Sequence, residues 1–175
     1  ANCHVHMRGM GHKEPLTSIE GLSELIAASV TSGAPLHLDH VNSSGQQAIT
    51  ELLQMISEVQ THGLDATAEC YPDTAGLAPI EGGLFSEGRR DKVSLDYADL
   101  EWAATGEKLT ASTFAEYREI GGMVIAHSMR QDMVDSAVAS PLTAIASDGW
   151  LKNGKGHPRT AGCYSKVLGH YVREE

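Results

Sequence analysis

The sequence predicts an α/β fold built on a parallel sheet, and three observations support that class. Five short runs of strand character alternate with segments whose apolar residues recur at helical spacing. Strands separated by helices pair in parallel through right-handed crossovers. Polar side chains recur where the strands end, which favours a β/α barrel over an open doubly wound sheet, because barrel active sites form at that rim. These side chains are His4, His6, His40, Tyr71, His127 and Asp148.

The five predicted strands are residues 3–7, 36–40, 64–71, 122–128 and 142–147. Two predicted helices separate the first three strands. Thr17 and Glu20 fit a capping box at the start of the first helix, and Gly33 ends it. The second helix follows the turn at residues 42–45 and ends at the C-cap candidate Gly63. Five strands do not close an eight-stranded barrel, so the predicted barrel is partial.

A Gly- and Pro-rich excursion, residues 72–90, follows the third strand. It is longer than an ordinary connection between a strand and a helix, which makes it a candidate functional loop. Residues 91–119 are predicted to be helical in two pieces, with the second starting near Ser112 or Thr113. A short helix, residues 132–139, precedes the last predicted strand.

Composition and charge exclude several classes of protein. The chain has 175 residues, enough for one domain with a hydrophobic core. Its formal charge of −10 and its 13 scattered Lys and Arg residues disfavour nucleic acid as a partner. No apolar run approaches the roughly 20 residues of a membrane helix, and the sequence opens without a signal peptide pattern. Three cysteines without CxxC spacing disfavour a disulfide framework or a zinc knuckle, so we expect reduced thiols and a cytoplasmic location.

Histidines at the strand ends are candidate metal ligands. The pair His4 and His6 lies at period two on one strand, and such an HxH pair either chelates zinc or forms ordinary hydrogen bonds at a strand edge. His40 is the last residue of the second predicted strand and shares a face with Leu36 and Leu38. It therefore either binds a metal or is hydrogen-bonded beside the polar turn that follows.

The segment after the fifth predicted strand holds the other candidates. Asp148 ends a buried run, where it either ligates a metal and acts as a general base or caps the turn at Gly149. The planar guanidinium of Arg159 suits two-point binding of a carboxylate or phosphate, unless Arg159 pairs with a surface acid. His157 is expected to assist Arg159 in binding the anion, and Pro158 to stiffen the backbone that leads to Arg159. Neither a glycine-rich phosphate loop nor a GxSxG nucleophile elbow occurs.

Five segments carry a resemblance to a known family. They are HMRG (6–9), PLHLDHVNSSG (35–45), ECYPDTAG (69–76), IASDG (145–149) and GHPRTAGCYSKVLGHYVRE (156–174). In this order and spacing the chain resembles the D-aminoacylase, or N-acyl-D-amino-acid deacylase, branch of the amidohydrolase superfamily. The resemblance implies a metal-dependent (β/α)8 barrel of which residues 1–175 supply roughly strands four to eight. Both ends of the sequence fall inside predicted elements, so we expect a partial catalytic domain, without its first strands and its C-terminal segment.

The resemblance also implies roles for particular residues. His40 is similar to the metal ligand on the fifth strand, and Asp148 to the aspartate on the eighth strand that ligates the metal and handles a catalytic proton. Arg159 would receive the carboxylate of the substrate, and Tyr71 and His157 would line the pocket. The implied cofactor is zinc, as one or two ions, and the implied partner is a small N-acyl amino acid. The sequence gives no indication of an oligomeric state.

This sequence departs from the family pattern at three points. The HxH motif of the first strand and an early bridging ligand have no counterpart here, since the MRG that follows His6 matches the fourth strand. The histidine common on the sixth strand is absent from ATAECYPDTAG, which leaves Glu69 or Cys70 as substitutes. Asp73 follows the Tyr-Pro pair where the family has an aromatic residue. Two alternatives therefore stay open: a cyclic-amide hydrolase similar to dihydroorotases and hydantoinases, or an inactive fragment that only binds ligand.

Overall fold

The computed structural model describes residues 3–12, 15–86, 95–152, 154–157 and 159–174. Within them, four strands form a parallel sheet with the spatial order β1-β2-β3-β8. The strands are β1 (Cys3–Val5), β2 (Leu36–Leu38), β3 (Ala66–Cys70) and β8 (Thr143–Ile145). The predicted α/β class is confirmed in this mixed structure.

Helices cover one face of the parallel sheet. They are α1 (Ser18–Ser32), α2 (Val41–Gly45), α3 (Ile49–Thr61) and α5 (Gln131–Val138), with a 3-10 turn at Gln46–Ala48. Because side chains alternate between the two faces along β2, Leu36 and Leu38 are buried under these helices and His37 lies on the other face. On the helix side, this contact is completed by Leu22, Leu52, Ile56 and Val134. The opposite face of the sheet is polar.

The first helix begins and ends as its sequence predicts. The Thr17 hydroxyl accepts a hydrogen bond from the Glu20 backbone N–H, and the Glu20 carboxylate accepts one from Thr17 N–H in return. Gly33 adopts the left-handed conformation and caps the C-terminus. Gly9 fixes the preceding loop, because its φ is +85° and an added Cβ would lie 2.3 Å from the carbonyl oxygen of Thr17. The loop after β1 is thereby held against the start of α1.

A second sheet is formed by the chain between β3 and β8, and it begins within the Gly- and Pro-rich excursion. It is antiparallel, has the order β4-β7-β5-β6 and contains β4 (Gly76–Pro79), β5 (Leu100–Trp102), β6 (Glu107–Lys108) and β7 (Met123–Ala126). Helix α4 (Ala111–Ile120) packs on it. This sheet has its own apolar core, which includes Ile80, Phe85, Leu100, Phe114 and Val124. Trp102 stacks on Tyr117 of α4 with ring centroids 4.4 Å apart.

Two sequence predictions fail in this region. Residues 97–108 are not helical: a 3-10 turn at Tyr97–Asp99 leads into the β5 and β6 hairpin, while residues 91–94 lie outside the described residues. The buried Leu100 and Trp102 recur at period two, and Gly106 turns the chain at φ +79°. The helical interpretation missed this short alternation.

The strand predicted at residues 122–128 exists as β7, but it pairs antiparallel with β4 and β5 and does not join the parallel sheet. Consequently β3 pairs directly with β8, and the described residues contain four parallel strands, not five, and no closed barrel. His127 follows β7, is exposed and faces Glu101. Apolar composition predicts that a segment forms a strand but does not identify the strand with which it pairs. Here β4 and β5 each offered an edge with which β7 could pair.

The C-terminal part of the described chain consists of β9 (Leu151–Lys152), β10 (Lys155–Gly156), α6 (Arg159–Lys166) and a π-helical turn at Val167–Tyr171. Among the described residues, no helix combines the length and the apolar composition needed to span a bilayer. The segment between β8 and α6 carries Asp148 and Arg159 back to the ends of the parallel strands.

Candidate active site

A cavity of about 520 Å³ lies where β1, β2 and β3 end. His6, His40, Tyr71 and Asp148 line one part of it. Strand β4 and Ala126 of β7 form another part, so the second sheet contributes a wall that is mostly apolar. Three predicted site residues, His40, Tyr71 and Asp148, therefore share this cavity. Arg159 and His157 are not among its lining residues.

The turn after β2 directs His40 into the cavity. The strand ends at Leu38, and His40 has a φ of +35°, a left-handed conformation that is uncommon for any residue with a side chain. The predicted alternation of faces through residue 40 is therefore wrong. Ser43 Oγ lies 3.0 Å from Nδ1 of His40, which leaves Nε2 as the ring nitrogen that faces His6.

His6 is a neighbour of His40 that the sequence predictions did not include among the site residues. Its Nδ1 lies 2.8 Å from Nε2 of His40, a distance at which the two rings share one N–H as a hydrogen bond. Although His6 keeps contact with solvent, desolvation and then the adjacent His40 lower the pKa of His6 below its usual value. The two imidazoles thus meet in the cavity. The signal was the HxH spacing of His4 and His6, for which zinc chelation stayed an open alternative; of that pair only His6 lines the cavity.

Asp148 is held at the cavity by Arg159. Its Oδ2 accepts a hydrogen bond of 2.6 Å from Nη2 of Arg159, and its backbone carbonyl accepts one of 2.9 Å from Nε. The residue has a φ of +45°, and its side chain is 40% exposed. The backbone N–H of Gly149 donates to Ser147 Oγ and not to the Asp148 carboxylate. The Asp148 side chain therefore does not act simply as the cap of this turn.

Arg159 lies behind the cavity wall in a fully enclosed position. Its side chain is 1% exposed, and its Cζ sits 4.2 Å from the centre of the Tyr71 ring. Nη1 donates to the carbonyl oxygen of Ala75 at 3.3 Å. Neither a surface ion pair nor an open carboxylate receptor describes this arginine.

Tyr71 is buried between Arg159 and α2. The Asn42 side chain donates to the Tyr71 carbonyl oxygen at 2.9 Å and accepts from its N–H at 3.4 Å, which fixes the end of β3. Burial raises the pKa of the Tyr71 hydroxyl, and its contacts with Arg159 and Ser43 partly oppose that shift. Ser43 therefore links Tyr71 to His40. Asn42 and Ser43 were predicted only as turn residues.

The two substitutes for the missing sixth-strand histidine point in opposite directions. Cys70 lies in the apolar core under the helices, and desolvation raises the pKa of its thiol to about 11. A thiol binds metals as the thiolate, so Cys70 is a poor ligand in this position. Glu69 faces the polar side of the sheet, where its Oε2 is 3.3 Å from Nε2 of His37. Neither lines the cavity.

His157 lies apart from the cavity. It is 5% exposed and borders a different pocket, together with Ala103, Leu151 and Thr160. Its Nδ1 accepts a hydrogen bond from the Arg159 backbone N–H, while Nε2 has no partner among the described residues. His157 therefore does not line the cavity of His40 and Asp148, and its role in a substrate pocket stays a prediction. Pro158 lies outside the described residues.

The buried His157 predicts an acid-sensitive stability. Desolvation, followed by the Arg159 charge, lowers the pKa of His157 to about 4. An unfolded histidine has a pKa of about 6.5, so between these values only the unfolded state takes up the proton. We expect the free energy of unfolding to fall by on the order of 2 kcal/mol as the pH drops from 6.5 to 4.

Urea unfolding at pH 7 and pH 4.5 would measure this loss. His157→Gln should remove it, whereas His62→Gln, an exposed histidine at the end of α3, should leave it intact. An equal loss of stability in the wild type and in His157→Gln would contradict the assignment.

The fold is similar to that of several solved amidohydrolases. Neither protein-family models nor curated proteins give a match to this chain. A zinc and phosphonate inhibitor complex of N-acyl-D-glutamate deacylase from Bordetella bronchiseptica matches with a TM-score of 0.75 at 20% identity. A D-aminoacylase described as defining a subset of amidohydrolases matches at 0.70 and 22%, and a D-aminoacylase studied for its binuclear metal centre at 0.72 and 21%. Each match covers 98% of this chain and 37% of the other.

The predicted resemblance to the D-aminoacylase branch is thus confirmed at the level of the fold. The chain spans 37% of the length of the solved structures that it matches. The roles of individual residues stay predictions, and the geometry described above is the basis for weighing them.

Proposed function

We propose that this chain forms part of the catalytic domain of a metal-dependent amidohydrolase that cleaves the linear amide bond of N-acyl-D-amino acids, giving a carboxylate and a D-amino acid. The observation that carries the proposal is that His40 and Asp148 line one cavity at the strand ends. The fold shared with D-aminoacylase and N-acyl-D-glutamate deacylase supports the reaction class. Zinc, as one or two ions, is the proposed cofactor.

The donor types in the cavity are those that a divalent metal ion accepts, although the ligand atoms of His6, His40 and Asp148 do not all lie within 4.8 Å of one another. Imidazole nitrogen and carboxylate oxygen are ligands that zinc accepts, and imidazole must be neutral to bind. The lowered pKa of His6 meets that requirement, and Ser43 fixes the ring of His40 so that Nε2 faces the cavity. His40 and Asp148 would hold the metal, with His6 as the adjacent nitrogen donor. A bound zinc ion supplies Lewis acidity that polarises an amide carbonyl.

Asp148 is the residue proposed to move the proton. Arg159 holds its Oδ2, while Oδ1 accepts no hydrogen bond from the described residues. That free oxygen would take a proton from the attacking water and deliver it to the nitrogen of the leaving amine. Because Arg159 anchors both the carboxylate and the backbone of Asp148, the carboxylate keeps one orientation during both transfers.

Substrate orientation is assigned to Arg159, Tyr71 and the apolar wall. Arg159 donates to Asp148 and Ala75, contacts the Tyr71 hydroxyl and is 1% exposed at its side chain. A substrate carboxylate would therefore bind only the N–H groups that these partners leave free, once Tyr71 or Asp148 moves aside. Leu77, Ala78 and Leu84 offer apolar surface for the acyl group. Reaching Arg159 requires the substrate acid to approach beside the Tyr71 ring.

Side-by-side assays test the proposed substrate class on the protein as its gene encodes it. We expect hydrolysis of N-acetyl-D-amino acids to exceed that of the L-enantiomers and of dihydroorotate or hydantoin. A chelator should abolish the activity and added zinc should restore it. Faster turnover of the cyclic amides would replace the proposed substrate with the cyclic alternative. Undiminished activity in the chelator would contradict the metal-dependent reaction.

A further inference from the structure

A second group of ligand-type side chains lies on the polar face of the parallel sheet. His4 on β1 and His37 on β2 are register partners, and their rings lie 4.5 Å apart. Asp39 follows β2, and its Oδ1 is 3.8 Å from Nδ1 of His4. One ligand atom from each of the three residues lies within 4.8 Å of the other two. None of the three lines the cavity of His40 and Asp148.

We propose that His4, His37 and Asp39 bind a divalent first-row metal ion such as zinc, at a site separate from the candidate active site. Two ligand atoms about 2.1 Å from a tetrahedral ion lie about 3.4 Å apart. The 3.8 Å between His4 and Asp39 is close to that spacing, so a small rotation of either side chain closes the pair around an ion. The site is independent of the proposed hydrolase activity.

Neighbouring groups hold His37 in the orientation that a ligand needs. Thr67 Oγ1 lies 2.7 Å from Nδ1 of His37, so Nε2 is the nitrogen that would bind the ion, in exchange for its contact with Glu69. Hydrogen bonding of the second ring nitrogen is the usual support for a metal-binding histidine. Glu69 Oε2 lies 3.3 Å from Nε2, so a second carboxylate stands beside the site. His37 is only 15% exposed at its side chain, which limits its other rotamers.

The donor set and the charge determine which ion fits. Two imidazoles and one carboxylate suit zinc, copper or nickel, whereas magnesium and calcium prefer sites composed of oxygen. Asp39 and Glu69 supply negative charge in a chain whose formal charge is −10, which favours a cation. The parallel pairing of β1 and β2 fixes the distance between His4 and His37 before any ion arrives.

A calorimetric titration with Zn²⁺ as the only ligand tests the site in the protein as its gene encodes it. We expect His4→Ala and Asp39→Asn each to weaken one zinc equivalent by at least about tenfold. His62→Ala, which removes an exposed histidine at the end of α3, should bind zinc like the wild type. His40→Ala should leave this equivalent in place, which separates the site from the candidate active site.

The ring-nitrogen resonances of the wild-type protein give a second measurement that needs no variant. One equivalent of Zn²⁺ should shift the signals of His4 and His37 together and leave that of His62 unchanged. Wild-type stoichiometry and affinity in both His4→Ala and Asp39→Asn would overturn the proposal. So would His4 and His37 resonances that do not respond to zinc.

Discussion

Asp148→Asn is expected to lower kcat/KM for N-acyl-D-amino acids by about a hundredfold to ten-thousandfold, the range that a positioned acid or base contributes. The amide keeps the size of the carboxylate and its carbonyl oxygen still accepts from Nη2 of Arg159, so the fold should persist. It does not take up a proton at neutral pH. The measurement is the initial rate of amine release across pH 5 to 9 for wild type and variant.

Asp132→Asn is the matched control for that variant. Asp132 also pairs with an arginine, Arg130, through two hydrogen bonds, but the pair is exposed and lies on α5 away from the cavity. Its activity should equal that of the wild type. Activity of Asp148→Asn within twofold of the wild type would remove Asp148 from the proposed mechanism.

Arg159→Met is expected to lower the free energy of unfolding by about 3 kcal/mol. Removing one partner of a buried ion pair typically costs about 3–5 kcal/mol. The lower end applies here because the Asp148 side chain is 40% exposed and water can solvate it once it is unpaired. The variant also loses hydrogen bonds to two backbone carbonyls and the contact with the Tyr71 ring. Urea unfolding followed by circular dichroism measures the change.

Arg130→Met provides the comparison for that variant, since Arg130 forms an equally short ion pair at the surface with both side chains 64% exposed. Exposed pairs contribute about 0–1 kcal/mol, so its stability should stay close to that of the wild type. Equal losses in the two variants would show that burial of Arg159 does not account for the effect.

Local signals in the sequence predicted the first half of the fold well. The capping box of Thr17 and Glu20, the cap at Gly33 and the strands before His40 and Tyr71 depend on neighbouring residues, and the structure has them. The pairing of β7 depends on long-range contacts with β4 and β5, which periodicity does not encode. For the same reason, a strand predicted from composition was assigned to the wrong sheet.

The candidate site divides in the same way. Strand ends brought His40, Tyr71 and Asp148 to one cavity, as their positions in the chain predicted, although their chemical roles stay predictions. The contact between His6 and His40 depends on the left-handed turn at His40, and no residue type in the sequence predicted that turn. The enclosure of Arg159 and the displacement of His157 depend on how α6 packs against Tyr71 and Ala75.

The separate apolar core of the second sheet has a consequence for how such a protein diversifies. Leu77, Ala78 and Leu84 line the cavity, yet they belong to a body whose packing depends on Phe85, Trp102 and Phe114. His40 and Asp148 follow β2 and β8 of the parallel sheet. Under the proposed function, substitutions at Leu77, Ala78 or Leu84 would change the space offered to the acyl group, whereas His40 and Asp148 would stay where the parallel strands place them.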